Sequence, residues 1–355
     1  MNYNGWDREY LENKEEYQKL FDRVMQIDND RNVEFLEKRI ADYSNKKYAV
    51  AVSSATDALY YSLLCYGIGP GDDVLVSDFS WISTASCISM AGANPIFCDI
   101  DLESYHISIN SIQENYTPKT KALIYTHLFG NMTDTREIEN FCKEKGIAFI
   151  EDAAQSLGSS LNGIKAGSIG DISSYSFNNN KVIAGISGGG MLMTDNENFA
   201  KLVKKLRRHG KDKDYEMLGY NSKMFYTNAA FINFRLDKME EWQKKRQEIA
   251  KEYEDILSDL NINFQTMSDG LNHNYHKYVI RFQTKKEREL MRKQLNATVH
   301  YDKPISENSK YKLISKPNAK IASDTVLSLP IHAWLTDEEI NTIGLNISMT
   351  DITTS

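Results

Sequence analysis

Four cysteines and six prolines in 355 residues leave this chain poor in both covalent staples and rigid turns. Cys65, Cys87, Cys98 and Cys142 form no C-x-x-C pair and three of them sit in apolar runs. That pattern argues against a disulfide scaffold or a zinc site and predicts buried, reduced thiols. No metal is expected. The opening run Met1–Arg8 has no apolar signal core, and no apolar stretch approaches the ~20 residues that cross a bilayer. An excess of basic residues is missing as well. The net charge is −7, which argues against a general role on nucleic acid or a membrane surface, although a local basic pocket for an anionic substrate stays open. Internal repeats and low-complexity segments are also lacking. What remains is 41% hydrophobic and 26% charged, ordinary for a soluble protein and expected in the cytoplasm. The length allows one large domain and a smaller one.

From Tyr48 onward, short apolar runs alternate with amphipathic segments. Tyr48–Val52, Asp73–Ser77, Pro95–Cys98, Ala122–Thr126 and Ala148–Glu151 read as strands; Asp57–Tyr66 and Arg136–Lys145 read as helices. Continuous apolar strands separated by helices predict an α/β fold: a mostly parallel central sheet flanked by helices on both faces. Ligands in such sheets bind beyond the carboxyl ends of the strands, where Ser54, Asp152 and Ser176 fall. The texture changes near Arg235. Leu236–Leu257 is a long charged helical pattern, Lys277–Phe282 alternates like a strand, Glu287–Gln294 reads as a short helix and Thr298–Tyr301 as another strand. Thr336 followed three residues later by Glu339 marks a helix start. The expected division is a large domain over 1–235 and a small α+β domain over 236–355, with the polar end Met349–Ser355 fraying.

The chemistry concentrates in Ser176-Phe177-Asn178-Asn179-Asn180-Lys181, followed by Ser187-Gly188-Gly189-Gly190. An amine in a partly dehydrated pocket has a lowered pKa and attacks carbonyls. Upstream, the apolar strand Phe149–Glu151 delivers Asp152, a carboxylate suited to a protonated pyridine nitrogen. Ser53-Ser54-Ala55-Thr56-Asp57 is a strand-to-helix turn whose amides and hydroxyls can hold a phosphate. Trp81 follows another strand and can stack on a ring. Each part has a plainer counterpart: a solvated lysine, an Asp that caps a helix, a Ser N-cap, a tryptophan in the core, a flexible glycine turn. In this order, however, the four parts match the four needs of pyridoxal phosphate (PLP).

Further segments extend the match: Gly67-Ile68-Gly69-Pro70-Gly71-Asp72, Gly92-Ala93-Asn94-Pro95 through Asp99-Ile100-Asp101, His127-Leu128-Phe129-Gly130, Glu151-Asp152-Ala153-Ala154-Gln155, Gly219-Tyr220-Asn221, His300-Tyr301, and Ser328-Leu329-Pro330-Ile331-His332 with Leu335–Glu339. From about Glu34 to Ile343 the chain resembles the DegT/DnrJ/EryC1/StrS family of PLP-dependent nucleotide-sugar aminotransferases, which have the type I aspartate aminotransferase fold. The resemblance implies that Lys181 is the catalytic residue, bonding to the cofactor carbonyl and then carrying the proton between cofactor and substrate carbons. It implies that Asp152 holds the ring nitrogen, Gln155 the ring hydroxyl, Trp81 one ring face, and Ala55, Thr56 and Ser176 the phosphate. Asn221 would reach that phosphate from the neighbouring subunit, making a homodimer with shared sites. Lys223, His300, Tyr301 and His332 are candidates for the substrate side, although histidines in apolar company, His127 included, also serve as packing residues.

Three departures from the family pattern stand out: Ala55 in place of Gly, Lys223 in place of Arg, and no Gly in Ile27–Asn32, where the sugar approaches. Lys223 keeps the charge but loses a bidentate fork. The basic cluster Lys204–Lys211 reads as a solvated helix end. The resemblance implies transamination with pyridoxamine phosphate as the carrier and L-glutamate as donor, in the synthesis of cell-surface polysaccharide precursors such as O-antigen. The loop around Lys181 is similar to members that aminate C4 of nucleotide-linked 4-keto-6-deoxy sugars; amination of C3 of a 3-keto isomer is the alternative. A non-catalytic or regulatory protein of the same fold is the distant one.

Overall fold

The computed structural model describes residues 5–26, 31–215, 217–260, 262–295 and 297–348. The glycine-free stretch at Ile27–Asp30 and the polar end Met349–Ser355 lie outside the described residues. Seven strands form the main sheet: β1 (Tyr48–Val52), β2 (Asp73–Ser77), β3 (Asn94–Cys98), β4 (Thr120–Thr126), β5 (Ala148–Asp152), β6 (Ile172–Ser176) and β7 (Gly190–Thr194). Their spatial order is β1-β7-β6-β5-β4-β2-β3. Strand β7 runs antiparallel to both neighbours, and the other adjacent pairs are parallel. The parallel strands therefore end on one edge of the sheet, and β7 begins there.

Side chains alternate between the two faces of each strand, and both faces are covered. On one, Val50, Val52, Val74, Val76, Ile124, Ile150 and Leu192 pack with Leu59 and Leu63 of the helix Ala55–Cys65 and Ile88 of the helix Ser83–Met90. On the other, Ala49, Ala51, Tyr175, Met191 and Met193 pack with Leu36 and Ile40 of the helix Arg31–Tyr43 and with Trp242. Burying each such valine, leucine or isoleucine contributes about 1.5–3 kcal/mol.

Beyond the helices Tyr226–Asp237 and Met239–Leu257, a smaller antiparallel sheet joins Asn263–Phe264, Tyr278–Arg281 and Val326–Leu329. Its core unites Tyr253, Ile280, Leu327 and Ile343. The helical pattern expected from Leu236 is two helices: the first starts at Tyr226, and Lys238 separates it from the second. The boundary placed after Arg235 thus falls inside a helix. Thr336 and Glu339 make a reciprocal cap, each side chain accepting from the other's amide, at 3.2 and 3.0 Å. The strand expected over Thr298–Tyr301 does not form: Thr298 makes one bridge, to Ser328. His300 and Tyr301 both line the same cavity, which a strand's alternation would forbid. Among the described residues, no helix is long and apolar enough to cross a membrane.

Candidate active site

The end of β5 places two carboxylates back to back. Glu151 points to the enclosed side, where Oε1 accepts from the Gly167 amide (2.6 Å) and lies 2.9 Å from His127 Nε2, while Oε2 accepts from the Ile169 and Gly170 amides (2.9 Å each) and the Ser173 hydroxyl (2.8 Å). Burial alone would raise its pKa; His127 and the surrounding amides outweigh burial and bring it down to about 2. Asp152 faces the other way. Pairing with Thr126 and Ser174 on the flanking strands puts their hydroxyls beside it, at a long 3.4 Å each, and Oδ1 accepts from the Ala154 amide at 3.1 Å. Residues 154–158 form turns rather than a helix, so Asp152 is not a helix cap. Burial holds its pKa above the usual carboxylate range, opposed by the Ala154 amide and the charge of Lys181. This carboxylate is under-solvated, and among the described residues it makes no ion pair within 4 Å, Lys181 acting on it only through space.

Lys181 stands opposite, on the bend that follows β6. Burial lowers its pKa to about 8, with Asp152 pulling the other way. Such a lysine holds roughly two-hundredfold more neutral amine at pH 7.5 than an ordinary one. Lys181 and Asp152 share a cavity of about 280 Å³, which also takes in Ser53, Ser54, Ala55, Thr56, Trp81, Gln155, Ser176, Gly188, His300 and Tyr301.

The turn after β1 closes one end of that cavity. The Ser54 hydroxyl accepts from the Asp57 amide at 3.0 Å, an ordinary N-cap. The Ala55 and Thr56 amides open the same helix without a partner among the described residues. Gly190 fixes this turn in place. A Cβ there would stand 2.2 Å from the Ser54 carbonyl carbon and 2.5 Å from the Ala55 nitrogen, so backbone meets backbone. The glycine run therefore makes room for the protein's own chain as well as for a ligand. At the opposite wall, Gln155 accepts from the Phe129 amide (2.9 Å) and donates to the Tyr301 hydroxyl (3.2 Å), which locks its amide. Trp81 is 57% exposed, with its ring 5.9 Å from that of Tyr301. Such exposure rules out a core-packing role.

His332 and Lys223 are not brought to this cavity, and Asn221, expected to serve the neighbouring subunit, also lies outside it. His332 is buried beneath Gly5, where a Cβ would come within 2.6 Å of its Nδ1, and it accepts from the Trp334 amide at 3.2 Å. Asn221 and Lys223 are exposed on a loop outside it. Between them, Ser222 is buried and donates to Asp57 at 2.6 Å, so the loop is pinned to the phosphate-turn helix. Conversely, His276 and Lys277 line the cavity although the sequence pattern assigns them no role there, and Ser53, Asn178 and Asn180 join it from the two stretches that carry the chemistry. The sequence pattern puts Lys277 at the head of an alternating strand and reads as structural; the strand itself begins at Tyr278, and Lys277, just before it, opens into the site.

The donor set fits PLP at each of its functional ends: helix-opening amides with the Ser176 hydroxyl for the phosphate, Asp152 for the ring nitrogen, and a partly neutral amine for the carbonyl. The family model for DegT/DnrJ/EryC1/StrS aminotransferases matches residues 11–348. The chain belongs to this family. Members are PLP-dependent aminotransferases, and solved ones carry the cofactor as PLP or as pyridoxamine phosphate. A pleiotropic regulatory protein of Geobacillus stearothermophilus is 32% identical over 347 residues, covering 93% of each chain. A dTDP-3-amino-3,6-dideoxy-alpha-D-galactopyranose transaminase of Aneurinibacillus thermoaerophilus is 31% identical over 321 residues, 88% of each. The crystal structure of a DegT/DnrJ/EryC1/StrS aminotransferase from Brucella abortus superposes with a TM-score of 0.91 at 25% identity, over 98% of each chain. Family relatives include transaminases of both 3-amino and 4-amino sugars.

Proposed function

We propose that this aminotransferase converts a nucleotide-linked 4-keto-6-deoxy sugar to its 4-amino sugar, with L-glutamate as amino donor, for a cell-surface polysaccharide precursor. The observation that carries the chemistry is the convergence of a partly neutral Lys181 and an under-solvated Asp152 on one cavity. When bound, PLP supplies an electrophilic carbon for amines and a sink for the electrons left when a substrate carbon loses its proton. Asp152 would hold the ring nitrogen, and the cation it meets there offsets the desolvation that now raises its pKa. Lys181, available as the neutral amine, would hold the cofactor through its carbonyl and, once released, would move the proton at the substrate carbon. Ala55, Thr56 and Ser176 would anchor the phosphate, Gln155 would meet the ring hydroxyl, and Trp81 would cover a ring face.

The choice of C4 rests on the residues Asn180–Met191 around the lysine. Amination at C3 is the second reading, favoured by relatives named for 3-oxo, 3-dehydro and 3-amino sugars. Mapping products by NMR across 4-keto and 3-keto nucleotide sugars separates the two: a C3 amine as main product would overturn the first. A homodimer with shared sites is part of the proposal: Asn221 would reach the phosphate of the neighbouring subunit, and its exposure on a loop held by Ser222 supports that reading. Mixed dimers of Asn221→Ala and Lys181→Ala subunits should recover activity in one of their two sites, and verified mixed dimers without recovery would refute the sharing.

A further inference from the structure

Lys277 is a second amine in the reaction cavity, and nothing in the PLP assignment uses it. It lines the 280 Å³ cavity together with Lys181, His276 and His300, and a narrow pocket behind Lys181 together with Arg246. Asp152 is the single carboxylate among the residues lining the larger cavity. Glu9 lines the narrow pocket, but its carboxylate is taken by Arg235 at 2.7 Å. Arg246 is committed as well, donating to the Tyr275 and Ile331 carbonyls at 2.9 Å each. His300 Nδ1 lies 2.9 Å from the Ser328 hydroxyl. Two amines thus share this cavity with one acid, which the ring nitrogen would claim; Glu254 lines a separate pocket that Lys277 also borders. A phosphate would sit at the Ser53–Thr56 turn, which leaves the lysine end of the cavity with no anion of its own.

Buried cations need anions. An α-amino acid carries its carboxylate on the same carbon as the transferred amine, so that group arrives beside whichever lysine does the chemistry. We infer that Lys277 receives a substrate carboxylate next to the reacting carbon and is a specificity-determining residue of this aminotransferase. The inference rests on the aminotransferase reading and adds the anionic substrate class to it. Burial, reinforced by Lys181 and Arg246, brings the Lys277 amine down to about 7, so near neutrality it is only partly charged without an anion. His276, its neighbour in the cavity, is held well below the usual histidine range by burial and by the same lysines, and His300 is lowered to about 3. An arriving carboxylate therefore draws a proton chiefly onto Lys277.

The test uses PLP-loaded enzyme and the unreactive dicarboxylate maleate, with affinity measured by calorimetry. Lys277→Met should weaken maleate binding at least tenfold, and Lys277→Arg should restore most of it. In buffers of different ionisation enthalpy at pH 7, wild-type enzyme should take up roughly half a proton per maleate bound, an uptake lost in Lys277→Met. A parallel titration compares UDP-glucuronate with UDP-glucose. A Lys277-dependent preference for glucuronate without a maleate effect assigns the carboxylate to the sugar; the maleate effect assigns it to the amino donor. Affinities within twofold of wild type for both probes in Lys277→Met and Lys277→Gln, each shown to be folded and loaded with PLP, overturn the inference. A wild-type protein that binds no PLP would instead overturn the aminotransferase reading.

Discussion

Glu151 and Asp152 are neighbours on one strand and opposites in every other respect. Glu151 meets five donors, two of them side chains and three backbone amides, all within 2.9 Å. Asp152 meets two hydroxyls at 3.4 Å and one amide at 3.1 Å. Both are buried. One is satisfied by the fold and driven to low pKa, while the other is left short of partners and driven upward. A strand's alternation sends one to the protein and one to the ligand. The contrast teaches that burial alone does not mark a functional acid; burial with incomplete solvation by the protein does.

The comparison is sharpest when the cavity face is disarmed. Lys181→Ala should cut turnover by about four orders of magnitude or more, while the melting temperature stays at or above that of wild type because a buried amine is gone. Measured turnover within a hundredfold of wild type would mean another lysine does the chemistry. Asp152→Asn keeps the shape and removes the charge; kcat should fall by about a hundred- to ten-thousandfold with the apo-protein no less stable. A large drop in apo stability would show Asp152 to be structural and erase the contrast.

The smallest effect on catalysis belongs to the protein face. Glu151→Gln sets an amide N–H against backbone N–H donors and should cost about 3 kcal/mol of stability, read by urea unfolding, with kcat per folded molecule within several-fold of wild type. The same residue sets an acid limit. Its folded pKa lies below the ordinary 4.5, so its stabilisation is complete above that value and is lost as pH falls toward about 2. The unfolding free energy of wild type should therefore decline across that window more steeply than that of Glu151→Gln; equal slopes would contradict the assignment.

Much of the cavity face was legible in the sequence, because its chemistry is written in side chains at strand ends: Asp152 after an apolar run, Ser54–Thr56 before a helix, Lys181 before glycines. The protein face was not. The donors that hold Glu151 include the backbone amides of Gly167, Ile169 and Gly170, which no side-chain pattern announces. Lys277 escaped for another reason: its alternating strand fixes period but not which end meets the cavity, and that depends on how the small sheet docks. His300 and Tyr301 were expected on a strand, and the cavity instead draws both rings to one side.

Gly190 carries a last consequence. Its α-carbon serves as a gauge block between the sheet and the phosphate turn, setting where the Ala55 and Thr56 amides stand although it offers a ligand no group of its own. Any side chain at 190 would shim that helix outward by the width of a methyl. The resulting defect would register as weak cofactor affinity, and a survey of ligand contacts alone would miss its origin.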